Sequence, residues 1–225
     1  MTFLISICAS AFAGPMDDML LNGARTNDIE MVKTAVENGA KVSTKAYGNW
    51  TPLHYAIKHK NIDMVYDLCQ KGALIDVGTL GNGPYNDTEL INAVRVDSLP
   101  LVKFFVEMGE NVNAQNLEGW TPLHVAAEAN WGRANSTEIV EYLLANKANV
   151  NKVNKFGNTP LMSMVNNNDM YIAYAAGNLE MAKTLLNAGT NTSIKNKNMK
   201  TALQIAIDRN WRDMINLLLP VSPKN

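Results

Sequence analysis

Thr51-Pro52-Leu53-His54-Tyr55-Ala56 and Thr121-Pro122-Leu123-His124-Val125-Ala126 are two copies of one hexamer in a chain of 225 residues. Looser copies keep the same threonine frame: Thr159-Pro160-Leu161-Met162, Thr201-Ala202-Leu203-Gln204-Ile205-Ala206 and the degenerate Thr88-Glu89-Leu90-Ile91-Asn92-Ala93. Successive threonines stand 37, 33, 38 and 42 residues apart, which is 33 plus insertions of 4, 0, 5 and 9. A recurring period of this size is the mark of stacked supersecondary units, none of which can bury its apolar face alone.

The surrounding residues repeat with the hexamers. An apolar pair recurs downstream of each, at Leu68-Cys69, Phe105-Val106, Leu143-Leu144, Leu185-Leu186 and Leu218-Leu219. Gly72, Gly109 and Gly189 then fall where a helix ends and a positive φ is wanted; Lys147 takes that place in one copy. Asp28, Asn61, Ser98, Ser136 and Asn178 stand where a second helix would open, each with a side chain able to accept from an unpaired helical N–H. Glu30, Asp63, Glu138, Glu180 and Asp213 follow, where a negative charge suits the first turn.

On these residues the chain resembles the ankyrin-repeat family, whose period is 33 with a T-P-L-H-x-A opening. The resemblance implies an all-α fold, an ankyrin-repeat solenoid of six stacked helix-turn-helix/β-hairpin units. It implies one domain over residues 14–225, with units at about 17–46, 47–83, 84–116, 117–154, 155–196 and 197–225, and Asp18 in the threonine position of the first. The insertions fall at residues 81–87, 129–135 and 166–174, where repeat arrays place surface loops.

Residues 1–13, Met-Thr-Phe-Leu-Ile-Ser-Ile-Cys-Ala-Ser-Ala-Phe-Ala, carry no charge and close on Ala11-Phe12-Ala13, a small-x-small pattern. The stretch is shorter than the roughly 20 residues a membrane span needs, so it reads as a secretory signal peptide. That reading predicts a periplasmic or secreted protein with no membrane insertion after cleavage, and a cytoplasmic one if the segment is retained.

Composition excludes several classes. A net charge of −1, from 20 Lys+Arg against 21 Asp+Glu, leaves no basic excess for nucleic acid. Three His and two Cys, without HExxH or CxxC spacing, predict no metal site and no cofactor. No nucleophile elbow or phosphate loop appears, so no enzymatic activity is expected. Cys69 stands in for a core leucine. The 29 Asn suit caps and hairpin turns, notably at positions 111, 113, 149, 151 and 191.

The resemblance implies a monomeric, non-catalytic module that binds a protein partner on its concave hairpin/helix face. His54 and His124 would be structural, bonding their own threonine and nearby backbone. Trp50 and Trp120, each just before a motif threonine where the family usually has a small or polar residue, are the leading binding candidates. Packing of both indoles against the next hairpin is the competing reading. Tyr55 and Val125 occupy the fifth motif position, which in this family faces the groove. Lys58, Arg95 and Glu128 share the eighth, and Tyr85 and Trp131 lie in insertions. A leader on an ankyrin chain resembles bacterial periplasmic ankyrin proteins, some of which neutralise toxins as immunity proteins. A secreted effector acting on host proteins and a cytosolic adaptor remain alternatives.

Overall fold

A computed structural model of the chain describes residues 14–73, 86–128, 136–166 and 175–222. These fall into two compact bodies, residues 14–73 in the first and 86–222 in the second. The fold is that of an ankyrin repeat: among the described residues there are twelve α-helices, in pairs, and no strand. The first body holds α1 (Pro15–Thr26), α2 (Ile29–Glu37), α3 (Pro52–Lys58) and α4 (Ile62–Gln70). The second holds α5 (Glu89–Arg95), α6 (Leu99–Glu107), α7 (Pro122–Glu128), α8 (Ser136–Ala145), α9 (Pro160–Asn166), α10 (Ala175–Asn187), α11 (Ala202–Asp208) and α12 (Arg212–Leu218).

The motif threonines start the short first helices. Thr51 Oγ1 accepts from the His54 N–H, while His54 Nδ1 accepts from the Thr51 N–H at 3.3 Å. Thr201 and Gln204 make the same reciprocal pair, at 3.3 and 2.8 Å. Two otherwise unpaired helix donors are satisfied in each case. Proline at the next position costs nothing there, because the first helical N–H has no intrahelical acceptor.

Nine of the helices end on a left-handed residue. Asn27, Lys60, Asp97 and Asn210, with φ from 52° to 60°, turn a first helix into its second. Gly39, Gly72, Gly109 and Gly189, with φ from 85° to 91°, end the second helices, and Lys147 does so at 66°. A Cβ at any of these four glycines would meet nothing within 4 Å, so only φ selects glycine there. A lysine therefore fits at a cost of about 1 kcal/mol.

Three expected helix starts differ. Asp18 is not at a cap: α1 begins a turn earlier, with Gly14 before Pro15. Asp17 does the capping, its carboxylate accepting from the N–H groups of Gly14 at 3.3 Å and Lys41 at 2.7 Å. Asp28 and Asn61 accept from Met31 and Met64 N–H as expected, but Ser98 precedes α6 without a side-chain cap. Asn178 lies inside α10, which starts at Ala175. Cys69, too, is half-buried rather than core; Leu68 beside it takes the fully buried place.

In the second body the hairpin turns are built from asparagine. Asn116 Oδ1 accepts from the N–H groups of Glu118 and Trp120; Asn154 and Asn196 repeat this with Phe156 and Asn158, and with Asn198 and Lys200. Consecutive turns are stitched by Lys155 N–H donating to Glu118 O and Lys197 N–H to Phe156 O, both at 3.0 Å. Asn113 and Asn151 bridge neighbouring hairpins, each donating to the carbonyl at the end of the next second helix, Lys147 and Gly189. Each also accepts from a backbone N–H two residues further on, Asn149 and Asn191.

Candidate functional site

His124 is fully buried; its Nδ1 lies 2.8 Å from Thr121 Oγ1 and its Nε2 3.0 Å from the Asn158 carbonyl oxygen. His54 makes the same threonine pair at 2.7 Å. Burial holds both imidazoles down to about 4 from the ordinary 6.5, with the Lys45 charge adding to the effect at His54. Neutral rings locked in helix caps are structural elements.

In the second body a cleft of about 360 Å³ opens beside these caps. Trp120 and Phe156 give it aromatic walls, while Glu128, Asp208, Lys200 and Arg209 supply charge of both signs. Lys200 is spent on Asp208 at 2.7 Å, and Arg209 donates to Asn166 Oδ1 at 3.1 Å. Glu128 accepts no hydrogen bond among the described residues. Burial pushes its carboxyl above the ordinary value, and the nearby Arg95 guanidinium offsets part of this. A desolvated carboxylate beside a half-buried indole is the feature of this cleft that an incoming donor would satisfy.

The other expected contact residues divide. Trp50 is half-buried and packs tilted against Tyr55 with ring centroids 5.0 Å apart, and Lys58 Nζ lies 5.5 Å over the Trp50 ring. These three form one exposed-edge cluster in the first body. Arg95 is tied to Asp87 through Nε at 2.5 Å, and Asp87 also accepts from Asn116 at 2.6 Å, so its guanidinium serves this buried carboxylate. Val125 is a correction: it is 4 % exposed, a core residue, and offers no side chain to a groove. Tyr85 and Trp131 lie outside the described residues. Phe156, Asn166 and Arg209 line the cleft without having been singled out from the sequence; Phe156 could have been found by counting three residues back from Thr159.

Among the described residues no group of three or more His, Cys, Asp or Glu could hold a metal ion, and no helix is long and apolar enough to cross a membrane.

The family description "Ankyrin repeats (many copies)" matches residues 20–68, "Ankyrin repeats (3 copies)" residues 90–173 and "Ankyrin repeat" residues 156–197. The chain belongs to the ankyrin-repeat family. An ankyrin repeat domain from Acinetobacter baumannii AYE superposes with a TM-score of 0.72 at 26% identity, over 89% of this chain and 95% of that one. The ankyrin chain is also 30% identical, over 81% of its length, to a putative palmitoyltransferase ZDHHC13 of Danio rerio, of which it covers 26%. It is 26% identical, over 85% of its length, to a putative ankyrin repeat protein of Rickettsia felis, of which it covers 52%. The ankyrin chain thus spans about a quarter to a third of the palmitoyltransferase relatives.

Proposed function

We propose that this ankyrin-repeat chain is a non-catalytic binding module that holds a protein partner against the Trp120–Glu128 cleft, with Trp50, Tyr55 and Lys58 as a second contact cluster. The observation that carries the reading is the Glu128 carboxylate, which burial has raised and to which no described residue donates. A partner's Lys, Arg or backbone N–H would pair with it, and the Trp120 and Phe156 rings supply low-entropy apolar area alongside.

The neutral 1–13 segment and its Ala-Phe-Ala close support export, to the periplasm or beyond the cell. In that compartment the partner is proposed to be a toxin, neutralised by occupancy; a host protein met by a secreted effector is the alternative. One experiment addresses both levels. A photo-crosslinking amino acid replaces Trp120 in the full chain, expressed in its own cells, and crosslinked partners are identified by mass spectrometry. A single protein crosslinked from position 120, but not from exposed Lys33 on α2, supports the module. Partners restricted to the cytosol would sink the export proposal, and none at all would sink the cleft.

A further inference from the structure

Trp50 and Trp120 each stand one residue before a Thr-Pro-Leu-His motif, and Lys58 and Glu128 close the helices that these motifs open, α3 and α7. Each indole takes the same place against its motif histidine, with ring centroids 5.9 Å apart for Trp50 and His54 and 5.7 Å apart for Trp120 and His124. The two sites are thus built alike and differ in two side chains. In the first body Lys58 Nζ lies 5.5 Å from the centre of the Trp50 ring, and Tyr55 packs against that ring. In the second, Glu128 replaces the cation, while Val125, at the position of Tyr55, is buried and carries no ring.

The first site shows what an indole at this position takes: a cation over its face. Among the described residues no cation lies over the Trp120 ring, and none donates to Glu128. The cations nearby are committed elsewhere. Lys200 pairs with Asp208 at 2.7 Å, Arg209 donates to Asn166 at 3.1 Å, and Arg95 is held by Asp87. An indole without its cation and a half-buried carboxylate without a donor ask for the same thing, a positive group brought from outside.

We infer that the group seated in this cleft is an arginine side chain of the protein partner, its guanidinium paired with Glu128 and laid against Trp120. The inference rests on the binding module proposed above and names the chemistry of what it holds. Two N–H groups of a planar guanidinium match both open oxygens of the carboxylate, whereas the ammonium of a lysine is a point charge. Phe156, 55 % exposed, gives the cleft a second aromatic surface for a flat ion to lie on. A cleft of about 360 Å³ has room for a side chain of this length. A backbone N–H would give Glu128 one bond and leave the indole without a cation.

The probe is a blocked glycine–arginine–glycine tripeptide, titrated into the full chain and read from the indole N–H resonance of Trp120, which a Trp120→Phe variant assigns. Two counterparts run beside it, one with lysine and one with citrulline, which keeps the shape of arginine without its charge. The arginine peptide is expected to shift the Trp120 resonance saturably, the lysine peptide to bind roughly threefold or more weaker, and the citrulline peptide to give no response. Glu128→Gln, which keeps the shape of the side chain, should weaken arginine binding by roughly tenfold. The Trp50 resonance should stay where it is, because Lys58 already occupies that ring. No shift at Trp120 overturns the inference, as does an equal response to lysine or citrulline, an equal shift at Trp50, or undiminished binding by Glu128→Gln. None of these results sinks the module itself, which stands or falls on a partner crosslinked from position 120.

Discussion

His124 Nε2 lies 3.0 Å from the carbonyl oxygen of Asn158, a residue of the following hairpin, so one imidazole both caps α7 and ties two repeats together. His54 caps α3 in the same way, yet its Nε2 has no hydrogen-bond partner among the described residues. The two copies of one hexamer are therefore unequal. Glutamine already fills the capping role at position 204, so replacing either histidine by glutamine keeps the cap. His124→Gln is expected to cost about 1–2 kcal/mol through loss of the inter-repeat bond. His54→Gln should cost less than half of that. Urea denaturation of both variants makes the comparison, and equal losses would refute the tie.

Stability should also fall in acid. Both imidazoles titrate at about 4 in the folded chain and near 6.5 when exposed. Between those values the unfolded chain binds protons that the folded chain refuses, so stability rises with pH up to about 6.5 and is flat above it with respect to these groups. The loss on reaching pH 4 approaches roughly 3 kcal/mol per histidine. Urea midpoints from pH 7.5 to 4.5 check the slope. The double variant His54→Gln/His124→Gln should lose most of it, and an unchanged slope in that variant would place the acid sensitivity elsewhere.

The hairpin turns permit a sharper contrast. Gly119 and Gly157 have φ near 75°, and a Cβ on either would lie under 3.0 Å from the backbone nitrogen of the next hairpin, at Lys155 and Lys197. Met199 occupies the equivalent position of the last hairpin with φ 60°. Gly157→Ala should therefore cost about 2–4 kcal/mol, the left-handed penalty plus the displaced backbone. Met199→Gly should instead stabilise by up to about 1 kcal/mol. Thermal unfolding of both variants decides; a gentle Gly157→Ala would mean the hairpins are not in contact at that point.

These residues also show what the sequence could and could not reveal. The Thr–His pairs and the helix-ending glycines were legible because their chemistry is local, spanning three or four residues. The start of α1 is not legible in the sequence because the cap there is Asp17 acting on Gly14 and Lys41, and the second of these contacts spans 24 residues. Val125 looked like a groove residue by position; its burial depends on how α7 is sandwiched between α5 and α9, which no motif encodes. Arg95 looked like a groove charge, but the buried Asp87 at the position that holds tryptophan in two other copies claims it. The cleft is the least legible part, since Trp120, Phe156 and Arg209 come from three repeats and meet only when those repeats stack.

The proposed seating of a protein partner in this cleft is open to direct measurement. The direct measurement is the calorimetric affinity of the crosslinked partner for the full chain and for its Trp120→Ala and Glu128→Gln variants, each first shown to keep its unfolding midpoint within about 1 kcal/mol equivalent of the parent. Each variant is expected to bind at least roughly tenfold more weakly, since both remove contacts at the centre of the proposed interface. Affinities unchanged in both variants, at intact stability, would contradict it.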